Sequence, residues 1–301
     1  MQTVYLGTSE FAAIVLGALA GTAHRPALVI TRPDRPRGRG RRLQSPPVAQ
    51  TARELGLELA QPDTVNDDLG RSVIAAAAPD VLVVCAFGAL IKEPLLSEHA
   101  ILNVHPSLLP RWRGAAPIER AIIAGDERTG VSIMRLTAGL DSGPVALAAP
   151  EPILADDTYG TLSPRLAELG ARLLIEALDV GLRDLRFTEQ DEAGVIYADK
   201  IAAEDRILDP ATPASDLGRR VRALTPHIGA AVLTGEGERL GVLAATARAA
   251  ITGDPPQGEL SDAGGEVLLG CAGATTLRLD VVQPPGRRAM DAAAYLRGRT
   301  G

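Results

Sequence analysis

Asn103, His105 and Asp141 are the side chains of this sequence whose types and spacing suit chemistry on an acyl group. An amide can donate to a developing oxyanion, and an imidazole can carry a proton or polarise a carbonyl. A carboxylate can orient that imidazole or accept a proton from an amine. Such a set can pass an acyl group between two bound partners with no nucleophile of the protein's own. Residues 101–104 form an apolar run that reads as a buried strand, and Pro106, which has no N–H, ends it near His105. Side chains two apart on a strand share a face, so Asn103 and His105 point the same way.

Asp141 has to be brought back to that face. Residues 106–117 are punctuated by Pro and Gly, residues 118–124 read as a helix, and residues 131–136 read as a strand. A strand, helix, strand crossover predicts two parallel strands. Their carboxyl ends would then meet at the edge where open α/β sheets bind ligands, with Asp141 beside His105. Plainer readings stay open at this point: a histidine near a strand end can be structural, and an aspartate between glycines can be a turn residue.

Similar alternation runs through the first ~185 residues, as expected for a parallel sheet covered on both faces. Expected strands are 3–6, 27–31, 81–86, 101–104, 131–136 and 145–149, and expected helices 10–19, 47–55, 69–77 and 158–180. The fold class is therefore α/β, with a Rossmann-like parallel-sheet domain over residues 1–186. Gly7-Thr8-Ser9-Glu10-Phe11 lacks the Gly-x-Gly-x-x-Gly pattern, which disfavours a nicotinamide enzyme. Residues 187–208 are charged and irregular and read as a linker. Residues 209–301 hold one helical segment, 217–224, and short glycine-punctuated runs, the mark of a small β-barrel or sandwich. Residues 253–258, with Pro255 and Pro256, read as a flexible loop.

Composition narrows the function classes. The chain has 301 residues, 46% hydrophobic but only 3% aromatic, so its cores are built from Ala, Val, Leu and Ile. No apolar run reaches the ~18 residues needed to span a bilayer, and the N-terminal residues read as a strand instead of a charged region with a cleavage site, so a cytoplasmic protein is expected. Cys85 and Cys271 lie in separate apolar runs and read as small buried residues. The four histidines have no zinc-binding spacing, so no metal is expected.

Charge is concentrated at one place. Arg32, Arg35, Arg37, Arg39, Arg41 and Arg42 stand against a single Asp34, giving residues 32–42 a net charge of +5. Residues 1–205 hold 20 basic and 27 acidic side chains, so the rest of that region is strongly acidic, and a polyanion would be steered to the loop. Gly38 and Gly40, with Pro33 and Pro36, argue against a helix, leaving a mobile basic loop that could order against phosphate. A solvated charged loop is the bland alternative. An overall net charge of −6 argues against a general nucleic-acid packaging protein.

The run Asn103-Val104-His105-Pro106-Ser107-Leu108-Leu109-Pro110-Arg111-Trp112-Arg113-Gly114-Ala115-Ala116-Pro117-Ile118, followed by Gly139-Leu140-Asp141-Ser142-Gly143, resembles the signature of the formyltransferases that use 10-formyltetrahydrofolate. Leu6 to Ala12, Thr31 to Pro36 and Tyr197 to Ile201 extend the resemblance over most of the chain. It implies an enzyme that moves the formyl group of 10-formyltetrahydrofolate to the amino group of methionine on initiator tRNA. The second domain would be an open barrel like an oligonucleotide-binding fold. By the same resemblance Asn103, His105 and Asp141 are catalytic, and Ser107, Leu108, Leu109 and Pro110 line the folate, with Phe87 and Gly88 at the pterin. Arg39 faces the tRNA acceptor end within a basic set of Arg35, Arg37, Arg39, Arg41 and Arg42.

The expected partner is initiator methionyl-tRNA, the expected state a monomer. A formyltransferase of a small amine, such as an amino sugar nucleotide or glycinamide ribonucleotide, is the nearest alternative. A non-catalytic RNA-binding protein on the same fold is another. Thr225-Pro226-His227-Ile228-Gly229 and Asp209-Pro210 depart from the family's Asn-Pro-Trp-Pro-Gly and Asp-Trp.

Overall fold

The computed structural model describes residues 1–37, 42–234, 237–261 and 265–297. The chain separates into two compact units. One comprises Met1–Gly114, Thr129–Pro152 and Ser163–Tyr197, the other Ala115–Arg128, Ile153–Leu162 and Ala198–Gly301.

Continuous apolar runs make the centre of the first unit. β1 (Thr3–Gly7), β2 (Leu28–Ile30), β3 (Leu59–Ala60), β4 (Val81–Cys85), β5 (Ile101–His105), β6 (Arg128–Arg135) and β7 (Val145–Pro152) form one sheet in the order β7-β6-β5-β4-β1-β2-β3. Every residue of β1, β4 and β5 is buried, as required of strands covered on both faces. The strands from β3 through β2, β1 and β4 to β5 are parallel, which is the expected Rossmann-like sheet. Val4, Leu6, Ile30, Leu82 and Ile101 share one core cluster on it, each worth about 1.5–3 kcal/mol when fully buried.

The crossover drawn from the sequence is different in the structure. β6 runs antiparallel to β5, with Leu102 opposite Arg135 and His105 opposite Ser132. A crossover helix must lie on the face of the sheet it bridges. The helix Pro117–Ala124 instead packs in the second unit against the helix Ala214–Leu224, where Arg219 Nε donates to Ile123 O at 3.2 Å. Freed of that constraint, the chain re-enters the sheet in the opposite direction.

In the second unit β8 (Ala230–Leu233), β9 (Arg239–Ala249), β10 (Leu260–Ser261), β11 (Val267–Cys271), β12 (Thr275–Gln283) and β13 (Met290–Asp291) make an antiparallel sheet ordered β8-β9-β12-β11-β10, with β13 on β12. Register shifts between Val242 and Ala245 bend β9, and the sheet curls into the half-barrel expected of this part of the chain. Leu217, Val221 and Leu224 of the helix Ala214–Leu224 fill it, against Val242, Leu277 and Leu279.

Residues 253–258 are not the free loop their composition suggests. Arg248 Nη2 donates to Asp254 Oδ1 at 2.7 Å, Thr276 Oγ1 donates to Asp254 Oδ2 at 2.8 Å, and Gly258 N–H donates to Gly270 O at 3.0 Å. A Cβ on Gly270 would stand 2.1 Å from Pro256 O, so only glycine lets the two segments touch. The Arg248 hydrogen bond, then the Ile251 N–H, hold the Asp254 carboxyl well below the usual carboxylate range. A depressed folded-state pKa contributes stability that is present above the unfolded value near 3.9 and is lost as pH falls through the folded one. Asp254→Asn is therefore expected to lower Tm at pH 7, and the gap between variant and parent to close as the melts are taken below pH 3.9.

Cys85 and Cys271 are buried and unpaired, and burial pushes the Cys85 thiol up to about 12. Among the described residues no helix is long and apolar enough to cross a membrane.

Candidate active site

The site is built on the carboxyl end of β5. Asn103 and His105 are 7% and 4% exposed and share the face that strand alternation assigns them. His105 Nε2 lies 2.9 Å from Trp112 O. A carbonyl can only accept, so Nε2 carries the proton in the neutral ring and Nδ1 presents its lone pair. Asn103 has no side-chain hydrogen bond to protein among the described residues, which leaves its amide open at the mouth of the strand.

Asp141 reaches His105 by a turn. It stands between β6 and β7, where its Oδ2 accepts from Gly114 N–H at 2.9 Å and lies 3.7 Å from His105 Nδ1. That separation is too long for a hydrogen bond and becomes a charge contact only when the ring is protonated. The carboxylate is thus aimed by a backbone amide and the imidazole by a backbone carbonyl. Both arrangements use strained backbone: Asp141 has φ +44° and Trp112 has φ +65°, left-handed conformations costing about 1–3 kcal/mol each that the surroundings must hold. Arg111 Cζ sits 4.5 Å over the Trp112 ring.

A second set of residues shapes the adjoining loop. Ser107 N–H donates to His105 O at 2.8 Å and its hydroxyl to Arg111 O at 2.7 Å, so the side chain is spent inside the loop. The fully buried Ser132, opposite His105 on β6, donates to Ser107 O at 2.7 Å and accepts from Leu109 N–H at 3.2 Å. Leu108, Leu109 and Pro110 are half-buried. Leu108 lies over Gly130, where a Cβ would come within 2.6 Å of it and within 2.2 Å of Ala149 O. Phe87 and Gly88 follow β4 on the same sheet edge. Phe87 is buried, its carbonyl accepts from Thr8 Oγ1 at 2.8 Å, and Gly88 has φ +71°.

The basic segment has more order at its base than its composition predicts. Arg35–Arg37 pairs antiparallel with Arg42–Gln44, placing Arg35 opposite Gln44. Below that ribbon Asp34 accepts from Gln61 Nε2 at 2.7 Å and from Ser45 Oγ at 2.8 Å, and these two donors, Gln61 first, hold its carboxyl below its ordinary range. Arg35 is exposed. Arg39 and Arg41 lie outside the described residues, and of the Arg37 and Arg42 side chains nothing is described.

Three contributors escape a reading of the sequence alone: Ser132, the Trp112 carbonyl, and the pair Arg113 and Gln190. Arg113 is 2% exposed, and its Nε donates to Gln190 Oε1 at 2.9 Å while Nη2 meets Glu192 Oε1 at 2.9 Å. Gln190 Nε2 in turn donates to Asp141 O at 2.8 Å and Gly143 O at 2.7 Å. No signal in the sequence marks this pair, because Arg111 stands two residues from Arg113 and nothing in their types says which of the two is buried.

Residues 1–178 match the formyl transferase family, and residues 200–300 its C-terminal domain. The chain belongs to the formyltransferases. It is 40% identical over 303 residues to the methionyl-tRNA formyltransferase of Methylobacillus flagellatus, covering 99% of this chain and 96% of that one. It is 44% identical over 301 residues to the enzyme of that name from Halorhodospira halophila, with the same coverage. Among solved structures the formyltransferase fold recurs in HypX from Aquifex aeolicus in complex with tetrahydrofolic acid, with a TM-score of 0.66 at 17% identity, over 98% of this chain and 47% of that one. It recurs also in an N-formyltransferase from Helicobacter canadensis in complex with folinic acid and dTDP-3-aminofucose, with a TM-score of 0.67 at 12% identity, over 93% and 98% of the two chains.

Proposed function

We propose that this chain transfers the formyl group of 10-formyltetrahydrofolate to the amino group of methionine carried by initiator tRNA, with Asn103, His105 and Asp141 as its catalytic residues. The observation that carries the reading is the open Asn103 amide beside an imidazole whose bare Nδ1 faces a carboxylate. The uncharged amine attacks the formyl carbon, and the carbonyl oxygen becomes an oxyanion that the Asn103 amide N–H meets. His105 Nδ1 takes the proton released as the new C–N bond forms, and Asp141 at 3.7 Å steadies the imidazolium. The intermediate collapses by breaking the bond from carbon to N10, and His105 returns its proton to that nitrogen. Protons balance, and no covalent enzyme intermediate is needed.

Support for the amine being that of methionyl-tRNA comes from relatives of that name at 40% and 44% identity over nearly the whole chain. The +5 segment supplies the charge a nucleic acid needs. We assign formyl transfer to residues 1–186, the linker to 187–208 and tRNA binding to 209–301 with the basic set Arg35 to Arg42. The folate is assigned to Phe87, Gly88 and Ser107 to Pro110. The enzyme acts as a cytoplasmic monomer in this reading. Purified protein given 10-formyltetrahydrofolate should formylate methionyl-tRNA and leave amino sugar nucleotides and glycinamide ribonucleotide unmodified. Turnover of a small amine with none on methionyl-tRNA would replace the assignment, and no turnover on any would favour the RNA-binding alternative.

Leu108 provides a test of the folate wall. Gly130 and Ala149 O crowd one side of it, so the larger ring of Leu108→Trp is expected to extend away from them, into the space we assign to the folate. Folate affinity should fall at least ~10-fold, about 1.4 kcal/mol, with tRNA affinity nearly unchanged. Equal losses of both would mean the loop itself had been disturbed.

A further inference from the structure

We propose that Gln190 is a positioning residue for the reaction: its amide fixes the turn that presents the Asp141 carboxylate to His105. The inference rests on the formyl-transfer reading of the site. Gln190 Nε2 spans the turn, donating to Asp141 O at 2.8 Å and to Gly143 O at 2.7 Å. Its own orientation is dictated, because Oε1 accepts from Arg113 Nε at 2.9 Å and an amide held at one end has only one way to face at the other. Arg113 is itself buried and paired with Glu192. The backbone follows suit. Thr188 exchanges two hydrogen bonds with Val145, at 2.8 and 2.9 Å, which lays residues 187–190 alongside the start of β7, and Arg135 Cζ stacks 4.2 Å over the Phe187 ring.

The need for such a brace is visible at Asp141. Its φ of +44° is a conformation that a non-glycine residue keeps only when held, and among the described residues its Oδ2 has one hydrogen-bond donor, Gly114 N–H, while the imidazole stands too far for a hydrogen bond. Without Gln190 the turn can relax, and the carboxylate moves relative to Nδ1 while both substrate sites stay intact. Among the described residues Gln190 makes no hydrogen bond to His105, so its effect is assigned to the turn that carries Asp141.

Two substitutions test it in the full chain. Gln190→Met keeps the length and removes the amide. Gln190→Glu keeps the acceptor for Arg113 and replaces both donated bonds with a carboxylate oxygen against two carbonyls, so its kcat serves if the methionine variant folds poorly, while the His105 titration is read in the uncharged variant, free of an added charge. Each is expected to lower kcat on methionyl-tRNA at least ~10-fold, with KM for both substrates within about a factor of three, the pattern of an interaction felt in the transition state. The second readout needs no activity: the titration of the His105 ring nitrogens, followed by NMR in the free protein, should move relative to the parent. An unmoved His105 titration overturns the proposal. So does a kcat equal to that of the parent, or a loss shared by kcat, both KM values and Tm. A parent protein that titrates at His105 but never formylates methionyl-tRNA would count against the proposed function, while the NMR shift would still test the role of Gln190.

Discussion

Replacing His105 by alanine is expected to lower formyl transfer by at least ~100-fold while the protein stays folded, the usual loss when a proton-transfer or oxyanion group is removed. The size follows from how little else could stand in. Asn103 is the only other polar side chain that the same strand presents on that face, and it can donate to the oxyanion but cannot take the amine's proton. Asp141 is aimed by Gly114 N–H and lies 3.7 Å from Nδ1, so it can stabilise a charged ring but is not hydrogen-bonded to a neutral one. Asp141→Asn keeps an oxygen for Gly114 N–H and deletes the charge, and should lose a comparable factor in kcat with little change in KM. A folding cost accompanies His105→Ala, because the hydrogen bond from His105 to Trp112 O is lost in a buried place, about 1 kcal/mol. Activity must therefore be measured below the variant's Tm, with circular dichroism as the check on folding. Near-parental turnover in a well-folded variant would remove His105 from the mechanism.

Much of this site could be read from residue order, and the rest fails for identifiable reasons. Strand alternation put Asn103 and His105 on one face, and Pro106 set the strand end, because both effects are local to a few residues. The direction of β6 is not local. An apolar run looks the same whichever way it crosses a sheet, and the decision lay with the helix Pro117–Ala124, whose partner is almost a hundred residues later in the sequence, at Arg219. Asp141 still meets His105, by a turn with positive φ instead of by a parallel strand end. Ser132 and Gln190 carry no pattern at all: one is a small polar residue inside an apolar run, the other an amide in a charged stretch, and each is defined by what folds against it. The loop at residues 253–258 shows the converse error. Its Pro and Gly content matches mobile segments, but Asp254 finds Arg248 and Thr276, and Gly270 leaves room for the backbone to dock.

Replacing Arg39, Arg41 and Arg42 together by alanine is expected to weaken methionyl-tRNA binding and to flatten its dependence on salt. Six arginines in residues 32–42, against 23 in the other 290 positions, are far above the background of this chain. If each of the three meets one phosphate, the slope of log affinity against log salt should shrink by roughly 2 to 3 units, at ~0.7 to 0.9 per contact released. Folate affinity should not change, because Phe87, Gly88 and Ser107 to Pro110, to which we assign it, keep their own hydrogen bonds and packing. The ribbon base gives a control. Asp34 is tied to Gln61 and Ser45, so the chain on either side of the substituted residues keeps its anchor, and a loss of binding can be read as lost charge rather than lost structure. Arg39→Ala should cost more turnover on methionyl-tRNA than Arg35→Ala if Arg39 lies near the acceptor end, as the family resemblance implies. Parental binding and slope in the triple variant at physiological salt would reduce the segment to solvated charge, and the recognition of tRNA would then have to come from residues 209–301.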